Sequence, residues 1–98
     1  MERIRWTEAA LDWLEEIHAY IAQENPAAAR RVIQGIYDKI QTLEEFPEIG
    51  YRYDHRSGED IRILLYGHYR IAYLVKTERV VEILGIYHSA LDINRYLP

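Results

Sequence analysis

The feature that most narrows the folds open to this chain is the short step at Asn25-Pro26, which joins two amphipathic stretches. Upstream of it, Leu11, Leu14, Ile17 and Ile21 recur at three- and four-residue spacing, while Asp12, Glu15, Glu16 and Gln23 fall mostly on the other side. That is the pattern of a helix with one apolar face, over about residues 7–23. Thr7 is a natural N-cap for it, and Glu8 places an acid in the first turn, where it suits the helix dipole. Downstream, Ala29, Val32, Ile33, Ile36, Ile40 and Leu43 repeat the helical spacing over about residues 26–45. Asn25 caps this second helix and Pro26 occupies its first position, where a missing N–H costs nothing. A link of only about two residues forces the helices to lie antiparallel. The resulting hairpin has an apolar face that something else must cover.

The rest of the chain supplies the cover. Pro47 and Gly50 end the helical half, and the polar stretch Tyr51 to Asp60 reads as a loop with a short strand near Tyr51–Tyr53. The period then changes from that of a helix to that of strands, with β-branched and aromatic runs at Ile61–Tyr66, Tyr69–Val75 and Val80–Tyr87. Gly67-His68 between the first two runs is a two-residue hairpin signal with Gly leading, and Lys76–Arg79 suits a four-residue loop. At the start, Arg3-Ile4-Arg5-Trp6 alternates polar and apolar as a short strand does. Residues 89–97 read as a short terminal helix or tail. The expected architecture is a single α+β domain over residues 1–98: an N-terminal strand and an antiparallel helical hairpin packed on a C-terminal antiparallel β-sheet. Because runs such as Ile71-Ala72-Tyr73-Leu74-Val75 are apolar on both sides, the sheet face away from the hairpin must curl on itself or meet a partner.

Composition removes several functional classes. With no cysteine, disulfides and thiolate metal sites are excluded. No apolar run approaches the roughly 20 residues of a membrane span. Met1-Glu2-Arg3 puts charges where a signal peptide needs an apolar run, so the expectation is a cytoplasmic protein. The net charge of −4 is uneven. Residues 1–49 hold 5 Lys/Arg against 10 Asp/Glu, giving −5, and residues 50–98 hold 7 against 6, giving +1. Nucleic-acid binders carry a basic footprint, so any polyanion site would have to be local and in the second half.

The residues that could carry chemistry are few. There is no glycine-rich phosphate loop and no His/Asp/Glu set with metal spacing, so no cofactor or metal is expected. His55 and His68 read as surface residues, His18 as a boundary residue beside the apolar stripe of the first helix, and Asp54, Glu59 and Asp60 as a solvated loop. Ser89 follows His88 directly, and neighbouring side chains on a strand point to opposite faces, so a base cannot serve that nucleophile. The set of interest is Arg62, Arg70, Tyr87 and His88. Two guanidinium groups could hold a phosphodiester and its transition state while His or Tyr moves protons. The plainer reading is that each strand Arg lays its stem on apolar surface and pairs with an acid, with Glu82 as a partner. The nine tyrosines likewise fit core, interface or stacking on RNA bases.

Taken in order, Thr7-Glu8-Ala9-Ala10, the bend at Asn25-Pro26, Phe46-Pro47-Glu48-Ile49-Gly50, Arg62-Ile63-Leu64, Tyr69-Arg70-Ile71-Ala72-Tyr73 and Ile83-Leu84-Gly85-Ile86-Tyr87-His88 resemble the ParE/RelE superfamily of bacterial type II toxins, also called plasmid stabilisation proteins. The resemblance covers nearly the whole chain. It implies a toxin neutralised by a co-expressed antitoxin in a toxin–antitoxin hetero-oligomer. ParE-like members poison DNA gyrase and RelE-like members cut mRNA on the ribosome. A shared fold does not choose between them. The long hairpin and the acidic charge point to the ParE-like branch. Arg62, Arg70 and His88 match positions of the family pattern, but Ser89-Ala90-Leu91 stands where basic residues commonly follow that His. The expected function is therefore a ParE-like, gyrase-binding growth inhibitor. The alternatives are a RelE-like endoribonuclease using Arg62, Arg70, Tyr87 and His88, and a non-toxic module that only binds antitoxin.

Overall fold

A computed structural model describes residues 3–53, 58–77 and 79–97. The loop readings at Asp54, His55, Arg56 and Ser57 lie outside the described residues. In chain order the elements are β1 (Arg3–Trp6), α1 (Glu8–Ala22), α2 (Pro26–Gln41), a 3₁₀ turn (Thr42–Glu44), β2 (Tyr51–Arg52), β3 (Ile61–Tyr66), β4 (Tyr69–Val75), β5 (Val80–His88) and a second 3₁₀ turn (Ile93–Arg95). No helix among the described residues is long and apolar enough to cross a membrane.

The local signals act as their chemistry dictates. The Thr7 hydroxyl accepts from the Ala10 N–H and also donates to the Ile83 carbonyl, so one side chain starts α1 and ties it to β5. The Asn25 side chain accepts from the Ala28 N–H and Pro26 opens α2. The second helix stops at Gln41, short of the expected 45, because the chain tightens into the 3₁₀ turn that buries Leu43. Gly67 sits at φ 55 and His68 has no positive φ, the pattern of a tight turn with Gly first that matches the twist of β3 and β4.

The sheet has five strands in the order β1-β5-β4-β3-β2. Strands β2 to β5 are antiparallel neighbours, while β1 joins the far edge parallel to β5, with Ile4 opposite Val81 and Trp6 opposite Ile83. The sheet is thus mixed, and the N-terminal strand is its edge rather than an appendage. The helical hairpin packs on one face, where Ile36, Ile40 and Leu43 meet Leu64, Ile71, Tyr73, Val81, Ile83 and Ile86. A second, smaller cluster of Ile63, Ala72, Tyr87 and Ile93 lies on the opposite face, with Leu91 and Leu97 packed against it. The chain covers that face in part with its own tail, residues 89–97.

One polar contact anchors the loop before the sheet. The fully buried Tyr73 hydroxyl accepts the Gly50 N–H at 2.9 Å. A Cβ at position 50 would lie 2.7 Å from both that hydroxyl and the Ile63 carbonyl, so the close approach requires glycine.

Candidate functional site

The strand registers place each candidate residue. Arg62 is opposite Tyr73 at the start of β3 and lies on the hairpin side of the sheet. Arg70 is opposite Tyr87, so these two are direct neighbours on the tail side. His88 is opposite Tyr69 and returns to the hairpin side, at the end of the sheet away from Arg62. Tyr69 and Tyr73 are separated by four strand steps, roughly 13 Å. Of the four candidates, then, the structure brings together Arg70 and Tyr87, and sets Arg62 and His88 apart from them and from each other.

Arg62 is engaged through both Nε and Nη1. Its Nη1 donates to the carbonyls of Glu48 and Gly50, each at 3.0 Å, and its Nε donates to Asp60 Oδ1 at 3.0 Å. With a side chain only 15% exposed, it works as a clamp that holds the 46–50 turn to the sheet. The acid that pairs with it is Asp60, which also lies 3.6 Å from Arg52 Nε.

Arg70 does not pair with Glu82. That carboxylate lies 3.7 Å from Arg5 Nε and 3.6 Å from Lys76 Nζ, at the other end of β5. Arg70 instead donates through Nη2 to the Leu91 carbonyl of the tail, and its buried Nε has no partner among the described residues. The guanidinium therefore holds the tail down over the sheet. Sequence reasoning looked for an acid and missed a backbone acceptor 21 residues on, for which no side-chain signal exists.

Tyr87 is buried beneath the same tail. Its ring stacks on Tyr96 at 5.3 Å and meets the edge of Trp13 at 5.0 Å. Burial pushes its phenol above the ordinary range, and the neighbouring Tyr96 adds to the shift. At neutral pH the phenol is protonated and available as a donor.

His88 is the one exposed member of the set. Its Nδ1 accepts the Ala90 N–H at 3.1 Å, which puts the proton of the neutral ring on Nε2. The ring meets Tyr69 edge-on at 5.6 Å and lies 6.1 Å from the His68 ring. Together with Trp13, Glu16, Tyr20 and Leu91 it lines an open cleft of about 510 Å³ between α1 and the ends of β4 and β5. No group of three or more metal-ligating side chains forms among the described residues.

Large apolar side chains remain in solvent. Leu65 on β3, Tyr51 on β2, and Phe46 and Ile49 in the connecting turn are each more than half exposed. Beyond Ile63, β3 has no strand partner on its outer side among the described residues, since β2 reaches only Tyr51 opposite Ile63. The sheet therefore combines an apolar rim with an open length of edge.

Comparison with known proteins places this arrangement. The model of the family described as the ParE toxin of type II toxin–antitoxin system, parDE, matches residues 4–93. The curated protein "Putative toxin Y4kP" of Sinorhizobium fredii is 39% identical over 88 residues, which cover 90% of this chain and 88% of that protein. Among solved structures, the chromosomal ParDE toxin–antitoxin system of P. aeruginosa superposes with a TM-score of 0.72 at 23% identity, covering 90% of this chain and 96% of that one. The RelBE2 toxin–antitoxin complex of Mycobacterium tuberculosis gives 0.61 at 21% identity, covering 89% and 96%. At such identities the two structures establish a shared fold.

Proposed function

The chain belongs to the ParE toxin family of type II toxin–antitoxin systems, and we propose that it is the toxin of such a pair, binding a cognate antitoxin and halting growth by binding DNA gyrase. The observation that carries the gyrase reading is the state of the two arginines. Arg62 clamps the 46–50 turn and Arg70 clamps the tail, so neither guanidinium is presented to a phosphodiester. His88 stands on the opposite face from Arg70 and Tyr87. This arrangement supports action by binding.

The antitoxin reading has its own support. Exposed Phe46, Ile49, Tyr51 and Leu65 beside an open strand edge suit a segment that orders on docking, because added main-chain hydrogen bonds and apolar pockets offset its lost entropy.

A RelE-like endonuclease is the second reading. The adjacency of Arg70 and Tyr87 favours it, and it requires the tail to leave the sheet. Inducing the chain without its antitoxin separates the readings. Replication stopping before translation supports gyrase. Translation stopping first, with new mRNA ends, supports the nuclease. Unimpaired growth would leave only antitoxin binding.

A further inference from the structure

We propose that the cleft between α1 and the ends of β4 and β5 is a socket for an arginine side chain presented by the partner protein; this rests on the antitoxin reading and names the chemistry of one of its contacts. Three aromatic side chains, Trp13, Tyr20 and Tyr69, line the cleft together with His88, and its one formal charge is the carboxylate of Glu16. A guanidinium is planar and weakly hydrated, so it stacks on aromatic faces while its fork of N–H groups pairs with a carboxylate.

The electrostatics select the sign of the guest. Helix α1 carries Glu8, Asp12, Glu15 and Glu16 and no Lys or Arg. None of these four acids takes part in the ion pairs that Asp60 and Glu82 make among the described residues. An unneutralised acidic helix beside an aromatic cleft attracts a cation and repels phosphate, which sets this cleft apart from a platform for nucleic-acid bases.

Two of the three aromatic walls are held in place before any guest arrives. Trp13 is fixed by edge contacts to Tyr87 at 5.0 Å and Tyr96 at 5.2 Å, and Tyr69 by its edge contact with His88. Tyr20, 76% exposed, is the wall left in solvent. A pre-formed site loses less entropy on binding.

The test uses the full chain, with N-acetyl-arginine amide as probe and its uncharged isostere N-acetyl-citrulline amide as control, read by amide and indole NMR shifts. The expected result is a saturable shift centred on the Trp13 indole and on Tyr20, Tyr69 and His88. The citrulline compound, which loses both the cation–π contact and the ion pair, should bind about three- to thirtyfold more weakly, and the Glu16→Gln variant should bind the arginine compound about two- to fivefold more weakly. Glu16 and Tyr20 are exposed, so Glu16→Gln and Tyr20→Ala keep the fold, and an unchanged melt confirms it. Equal shifts from the two compounds, or shifts from adenosine monophosphate in place of arginine, would overturn the proposal. With the cognate antitoxin, Glu16→Gln and Tyr20→Ala should each weaken binding about two- to fivefold. Antitoxin that binds parent and variants equally refutes the socket and leaves the antitoxin reading standing. Antitoxin that fails to bind the parent refutes the antitoxin reading, and with it the socket's assignment to the partner.

Discussion

Replacing Arg62 with Ala separates a structural arginine from a catalytic one. The substitution removes three hydrogen bonds at once, two to the carbonyls of Glu48 and Gly50 and one to Asp60. Glu48 is exposed, so its carbonyl regains water and that loss is small. Gly50 is buried, and its carbonyl loses a charge-assisted bond, which costs about 1.5–3 kcal/mol. Asp60, with a side chain 30% exposed, keeps Arg52 at 3.6 Å, so its share is discounted to about 1 kcal/mol or less. The total is about 3 kcal/mol. For a domain of this size that lowers the melting temperature by roughly 12–24 °C. Arg62→Lys should fall between parent and Ala, because an ammonium cannot reach both carbonyls and the carboxylate with one planar fork. Thermal and urea melts followed by circular dichroism measure all three proteins. An Arg62→Ala melt within a degree or two of the parent would refute the clamp and return this arginine to the list of groups available for phosphate.

Three further outcomes follow from the same contacts. Tyr73→Phe leaves the buried Gly50 N–H without its acceptor and should cost about 1–3 kcal/mol in a urea melt; a neutral result would mean that another acceptor takes its place. Tyr69, Tyr73 and Tyr87 have phenols raised above 10.0, chiefly by burial, so the folded chain holds protons that the unfolded chain has already released. Stability is therefore full below pH 10 and falls as pH rises through the folded values. Alkaline difference absorbance should show these three titrating after the exposed tyrosines, and a single shared transition would contradict it. Cognate antitoxin at a hundred times its Kd should add about 2.7 kcal/mol and raise the melting temperature by roughly 11–22 °C; no shift at saturation would rule it out as a partner.

Much of the scaffold was legible because its signals are local. Asn25-Pro26 states a cap and a first helical position, Gly67-His68 states a turn, and the change of period near Ile61 states where helices give way to strands. What escaped has long-range causes. Nothing in Arg3-Ile4-Arg5-Trp6 says that this strand runs parallel to β5, since partner and direction are set by the assembled sheet. Two features of the tail face were also hidden. Residues 89–97 could be read as a short terminal helix or tail, but not as the lid of Tyr87. Arg70 could be flagged as out of place in an apolar strand, but the group that accepts its hydrogen bond is a backbone carbonyl, and those look alike at every position. Arg62 was identified on its residue type, and its acid partner Asp60 is two residues away, yet its two carbonyl partners belong to a turn brought in by the fold.

Action by binding rather than by cutting RNA is the proposal for this toxin-family chain. Supercoiling of relaxed plasmid by purified gyrase, with the chain added alone and then with its antitoxin, tests it most directly. Supercoiling should fall with increasing toxin, antitoxin should restore it, and Arg70→Ala and His88→Ala variants which remain folded should inhibit as the parent does. Undiminished supercoiling at large toxin excess, with RNA cleaved by the parent and spared by those two variants, would contradict it.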